Sequence, residues 1–161
     1  MDVRLSHSPT WSRGASEALE RLSTLTEPDY VDTFSTTLPN APTMSPAEVV
    51  HAAFEHSPRW LRAVTPIAQR VVLGLSIERI SSPTHPLGWT VSGEGDGWLR
   101  LEASSPLLRA QIAGRIEDRS VSISTFIHYE GLLGRVLWPP VSLVHRRVGL
   151  RLLRSAAQLL P

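Results

Sequence analysis

The apolar positions of this chain change period twice. Tyr30, Phe34 and Leu38 share one face with Asp32 and Thr36. This is the alternation of a half-buried strand, ended by Pro39-Asn40-Ala41-Pro42. Ser45-Pro46-Ala47-Glu48 then predicts a helix start, with a serine cap, proline at the first helical position and a glutamate placed to complete a capping box. That helix carries Val49, Val50, Ala53 and Phe54 and stops before Pro58. A second helix from about Arg59 to Leu73 presents Trp60, Val64, Ile67 and Val71, and Pro66 predicts a kink or break within it.

From Ile77 the period falls to about two. Strands are expected over Glu78–Ser81, Gly88–Ser92, Trp98–Ala103, Leu107–Ile116, Ser120–Tyr129 and Leu132–Trp138, with short turns that imply an antiparallel meander. After Trp138-Pro139-Pro140 the helical period returns. Val141, Val144, Val148, Leu152 and Leu159 form a stripe, His145 lies within it, and Arg146, Arg147, Arg151 and Arg154 lie off it as a solvated face. Residues 1–28 are polar and irregular. They read as a loose, partly disordered extension, with a short helix over Ala15–Leu25 carried by Leu19 and Leu22 as the other option.

A chain of 161 residues fits one domain and can bury roughly 70% of its unfolded surface. The net charge of +1 provides no global attraction for nucleic acid or anionic lipid. Cysteine is absent, which removes disulfides, thiolate nucleophiles and cysteine-ligated metals. Lysine is absent as well, since all 16 basic side chains are arginine; Schiff-base chemistry by a side-chain amine is excluded. No segment has the length of a membrane span or the order of a signal peptide, so the expectation is a cytoplasmic protein.

Several residues carry a resemblance to a known group. They are Asp29-Tyr30 opening the first strand, Pro58-Arg59-Trp60 opening the second helix, Gly134-Arg135 assigned to the last strand, and Pro140 with His145-Arg146 in the final helix. In their order and spacing over about residues 29–160 the chain resembles the START-like superfamily, which includes polyketide cyclases. More narrowly, it resembles a bacterial START-like family of unknown function. A histidine that often follows the acidic turn before the penultimate strand in that family is replaced here by Ser120 after Asp118-Arg119. The resemblance implies an α+β helix-grip fold. An antiparallel sheet of six to seven strands would wrap around a long C-terminal helix, with two short helices between the first two strands and a ligand cavity between sheet and helix. Carriers, cyclases and sensors all use this scaffold, so no reaction follows from it.

Within such a cavity the candidates are specific. At 100° per residue His145 falls about 40° from the centre of the helix stripe. It would point at the sheet as an acid, a base or a hydrogen-bonding core histidine. Thr125 is the polar member of the face shared by Val121, Ile123, Ile127 and Tyr129, so Thr125 and the Tyr129 hydroxyl are its polar handles. His145 and Tyr129 are the candidate catalytic pair. Thr125, Ile123, Ile127, Val148, Leu152 and Trp60 are the candidate ligand contacts. Arg100, Glu102, Arg109 and Gln111 alternate with apolar neighbours and belong to the outer sheet face.

His51 and His56 are five residues apart and fall on different helix faces; with Glu94 and Asp96 too few for a calcium loop, no metal or other cofactor is expected. Gly93-Glu94-Gly95-Asp96-Gly97 lacks nucleotide-loop spacing, and no nucleophile elbow is present. The expected function is therefore binding of a lipid or polyketide-like molecule. The alternatives are a cyclase or dehydratase in the same cavity, and a protein-interaction module without ligand. A homodimer is compatible with all three.

Overall fold

The computed structural model describes residues 8–159. In chain order the elements are β1 (Thr10–Arg13), α1 (Glu17–Glu20), β2 (Tyr30–Thr37), α2 (Pro46–Glu55) and α3 (Arg59–Pro66). These are followed by β3 (Thr90–Gly95), β4 (Trp98–Ser104), β5 (Leu108–Glu117), β6 (Ser120–Tyr129) and α4 (Leu132–Leu159). Six strands form one antiparallel sheet in the order β1-β2-β6-β5-β4-β3. The fold is α+β and helix-grip-like: an open antiparallel sheet, the long helix α4 against one face, and α2 and α3 between β2 and β3. Among the described residues no helix is long and apolar enough to cross a membrane.

Local chemistry sets the elements. Ser45 accepts from the Glu48 backbone N–H while the Glu48 carboxylate accepts from the Ser45 N–H at 2.8 Å, so α2 starts on the expected capping box. Ser45, through its backbone N–H first and its hydroxyl second, holds the Glu48 carboxyl below the ordinary range. Asp96-Gly97 closes the β3–β4 hairpin with Gly97 at φ +72°. Asp118-Arg119 closes β5–β6.

Four expectations are corrected. Glu78–Ser81 is not a strand; it lies in the irregular link after α3. Leu132–Trp138 is not a strand either. It forms the first two turns of α4, and Gly134 belongs to the helix. A side chain at Gly134 would sit 2.2 Å from the Leu107 carbonyl oxygen, so only glycine lets α4 approach the sheet there. Pro139 and Pro140 lie inside the helix rather than before it, and the Ser142 hydroxyl donates to the Pro139 carbonyl at 2.6 Å.

The third correction concerns the second helix. Pro66 ends α3 and the chain continues as a π-helical turn over Ile67–Val72. Leu61 and Thr65 face inward, while the predicted stripe of Trp60, Val64, Ile67 and Val71 faces solvent.

The fourth concerns the N-terminal segment. Residues 1–7 lie outside the described residues, but residues 10–25 are not loose. Thr10–Arg13 pairs with Asp32–Ser35, and Leu19, Leu22 and Leu25 pack with Ala113 and Phe126 on the outer sheet face. A helix forms here, but it is the four residues Glu17–Glu20 rather than Ala15–Leu25, and β1 precedes it.

Candidate functional site

Between the sheet and α4 lies a cavity of about 110 Å³. That is well above the roughly 10–15 Å³ that a single bound water needs. Its floor is the inner face of β4–β6: Leu101, Leu108, Ala110, Ile112, Ile123, Thr125 and Ile127. Its wall is α4, through Trp138, Val141, Val144, His145, Val148 and Leu152. Thr65, Ala68 and Gln69 from α3 and the π turn close the top, with Leu87 and Trp89 beside them. The lining is not uniformly buried: Ala68, Gln69, Val141, Val144, His145 and Val148 are among its partly exposed members.

Alternation in the strands creates the floor. Residues 108, 110 and 112 of β5 and 123, 125 and 127 of β6 point one way, and the register places Ile112 beside Thr125 and Ala110 beside Ile127. Helix α4 lies close because residue 149 is glycine: a side chain there would meet the Phe34 ring at 2.5 Å.

The lining is apolar with a few polar atoms. Thr65 Oγ1, Gln69 Oε1, Trp89 Nε1 and Trp138 Nε1 are closed off from solvent, and the described residues offer them no hydrogen-bond partner. All four side chains line the cavity. An unmet buried polar group costs about 1–3 kcal/mol, so four on one cavity mark it as different from ordinary core.

Where α4 crosses β2, a polar cluster gathers around Asp32. Asp32 has no solvent exposure. It accepts from Tyr30 OH at 2.7 Å and Trp11 Nε1 at 3.0 Å, and His145 Nε2 lies 3.2 Å and 3.3 Å from its two oxygens. Burial, the largest effect, pushes the Asp32 carboxyl up; the bond and charge of His145, with Trp11 and Tyr30, outweigh it and hold the carboxyl below its usual value. Burial, reinforced by Asp32, raises the Tyr30 phenol to about 12. The His145 ring packs against Phe34 and Trp138, with ring centroids 5.3 and 5.5 Å away. Arg146 is not on a solvated face. Its guanidinium stacks 3.7 Å from the centre of the Trp11 ring.

The sequence-predicted residues divide cleanly. His145, Thr125, Ile123, Ile127, Val148 and Leu152 line the cavity. Tyr129 does not line it; it sits at the end of β6 beneath Arg135, and burial and Asp29 raise its phenol. Trp60 does not line it either and is 44% exposed. Asp32, Trp11 and the orphaned polar atoms were missed. The signal for Asp32 was present, since an acidic residue on the apolar face of Tyr30 and Phe34 needs partners. Among the described residues no group of three metal-binding side chains gathers.

Residues 24–149 match a family model described as a protein of unknown function (DUF2867). That span is most of the chain. The chain belongs to the DUF2867 family. No curated protein and no solved structure matches it. The matched DUF2867 span includes Asp32, the cavity floor and His145, whereas β1 and α1 precede it.

Proposed function

We propose that the protein binds an apolar small molecule bearing a polar group, of the lipid or polyketide-like kind, in the cavity between sheet and α4. The observation that carries this reading is the cavity itself: an apolar wall of about 110 Å³ with four orphaned polar atoms on its lining residues. The two indole N–H groups suit an acceptor such as a carbonyl or carboxylate, and the threonine and glutamine oxygens suit a hydroxyl. The START-like resemblance of the sequence points the same way, and we place the activity in the cytoplasm.

The test is displacement of anilinonaphthalene sulfonate by fatty acids and hydroxylated aromatic ketones, in the wild type and in Ala110→Leu, whose added atoms enter the cavity. Displacement in the wild type, weakened at least tenfold by Ala110→Leu with the fold retained, is expected. No displacement, or equal displacement in both proteins, refutes the reading.

The Asp32–His145 pair favours a second reading, a cyclase or dehydratase. A carboxylate on one ring nitrogen fixes the imidazole and leaves the other nitrogen for proton transfer. Tyr129 has no part in it, because it lies outside the cavity lining.

A further inference from the structure

The apolar stripe of α3 faces away from the core. Trp60, Val64, Ile67 and Val71 recur at helical spacing, yet their exposures are 44%, 37%, 56% and 76%. Helix α4 does the same. Leu132, Leu133, Val136 and Leu143 are each more than half exposed, on the side away from the buried Trp138, Leu152 and Ala156. Toward its C-terminal end that outward side continues with Arg147, Arg151 and Arg154.

The charges on these elements are of one sign. Residues 59–73 contain Arg59, Arg62 and Arg70, and residues 132–159 contain Arg135, Arg146, Arg147, Arg151 and Arg154; neither segment holds an Asp or Glu. Half of the 16 basic residues therefore lie on these two segments, a segregation that the net charge of +1 conceals. All but Arg146 are exposed, and among the described residues none of the exposed seven forms an ion pair. Elsewhere Arg21, Arg109 and Arg115 are paired with Glu17, Glu130 and Glu117, while the exposed Arg79 and Arg119 form no ion pair among the described residues.

We propose that the rim formed by α3, the π turn and the outer side of α4 docks on an anionic lipid surface. Trp60, Ile67, Val71, Leu133 and Leu143 would enter the interface, and the unpaired arginines would meet the headgroup phosphates. Amphipathic helices with arginine on the polar side and tryptophan on the apolar side bind membrane interfaces in this way. A second copy of the chain is a poor occupant. A two-fold contact would bring these arginines against the same arginines with no carboxylate between them. The proposal does not rest on the cavity's occupant.

The experiment is flotation with phosphatidylcholine vesicles, with and without about one third phosphatidylglycerol. The protein should float only with the anionic vesicles and should be released by high salt, where the screening length falls to about 3 Å. Arg62→Glu/Arg70→Glu should weaken partitioning by about thirtyfold or more, one such arginine being worth a factor of about five. Ile67→Ser/Val71→Ser should weaken it as well. Arg21→Glu/Arg115→Glu changes the net charge equally and should retain most of the binding; thermal midpoints check that each variant is folded. Ala110→Leu, which enters the cavity, should float normally, so this test and the ligand test fail separately. Absence of flotation, equal loss in both charge variants, binding to polyglutamate but not to vesicles, or a concentration-dependent dimer abolished by Ile67→Ser/Val71→Ser would each overturn the proposal.

Discussion

The two faces of the sheet are finished to different standards. On the outer face, β5 and β6 contribute Gln111, Ala113, Ser124 and Phe126, and the short N-terminal segment covers them. Gln111 is 3% exposed, and every polar atom of its side chain is paired: Ser23 and Thr24 donate to its oxygen, and its nitrogen donates to Thr24 and Glu102. Thr33 and Ser124 share a hydrogen bond at 2.7 Å. On the inner face the same strands contribute Ala110, Ile112, Thr125 and Ile127, and a 28-residue helix covers them. There a cavity remains, four polar atoms lack partners, and the flanking arginines lack counter-ions. A chain that closes one side with a few polar residues does not lack the means to close the other. The outer face has one such orphaned atom, His128 Nδ1, whereas the cavity gathers four beside an unfilled space, which is the pattern of a functional surface.

The comparison makes the N-terminal segment structural, and deletion tests this most severely. Removing residues 1–25 uncovers Ala113, Phe126 and Gln111 and takes the Trp11 donor from Asp32. We expect a fall in thermal midpoint well beyond about 5 °C, more than the shift that roughly 1 kcal/mol produces in a domain of this size. A truncated protein that melts within about 2 °C of the full chain would show that the outer layer contributes nothing.

This segment also shows where the sequence was hard to read. Its apolar points, Leu19 and Leu22, are too few to announce a docked layer, and their partners lie in β5 and β6, far along the chain. Strands and caps with local signals were legible: the capping box at Ser45, the whole of β6, and the inward direction of α4 that places His145. Three features were decided by contacts instead. The α3 stripe has the right period for a core, but Leu61, with no exposure, takes the inward position. Asp32 depends on Trp11, 21 residues before it, and on His145, 113 residues after it. The run Leu132–Trp138 has strand-like composition, and the Pro139-Pro140 pair that suggested a boundary lies within a continuous helix.

A paired substitution in β5 sharpens the contrast at smaller cost. Ala110 and Ala113 are 3% and 0% exposed and point to opposite faces of one strand. Ala113→Leu forces atoms into a filled layer and should destabilise by about 1–3 kcal/mol. Ala110→Leu places the same atoms in the cavity and should change stability by less than about 0.5 kcal/mol or raise it, because new apolar contacts offset any adjustment. Urea midpoints at constant slope measure both. Equal losses would mean that the inner face is as closed as the outer.

A shallow alkaline slope is expected from the cluster around Asp32, on the otherwise open side. The chain has no lysine, no cysteine and only two tyrosines, Tyr30 and Tyr129. Above about pH 9, then, tyrosine is the side chain left to titrate before arginine. The Tyr30 phenol is raised to about 12 by burial and by its bond to Asp32, and Tyr129 is raised by burial and Asp29. A raised value means that the folded state holds the proton more tightly than the unfolded chain. The associated stability is complete below the ordinary value near 10 and is lost as pH rises from there to about 12. For Tyr30 the loss near pH 10.5 stays below about 1 kcal/mol. Tyr30→Phe keeps the ring against Trp138, with centroids 5.2 Å apart in the wild type, but removes the proton and the donor to Asp32. The variant should start less stable at pH 8 by about 1.5–3 kcal/mol, the worth of a hydrogen bond to a charged group. It should then lose less than the wild type as pH rises, retaining only the Tyr129 share of the slope. Urea midpoints taken from about pH 8 to 11 give both numbers. An alkaline slope identical in the two proteins would show that Asp32 does not hold this phenol, and the cluster that anchors α4 to β2 would lose its central bond.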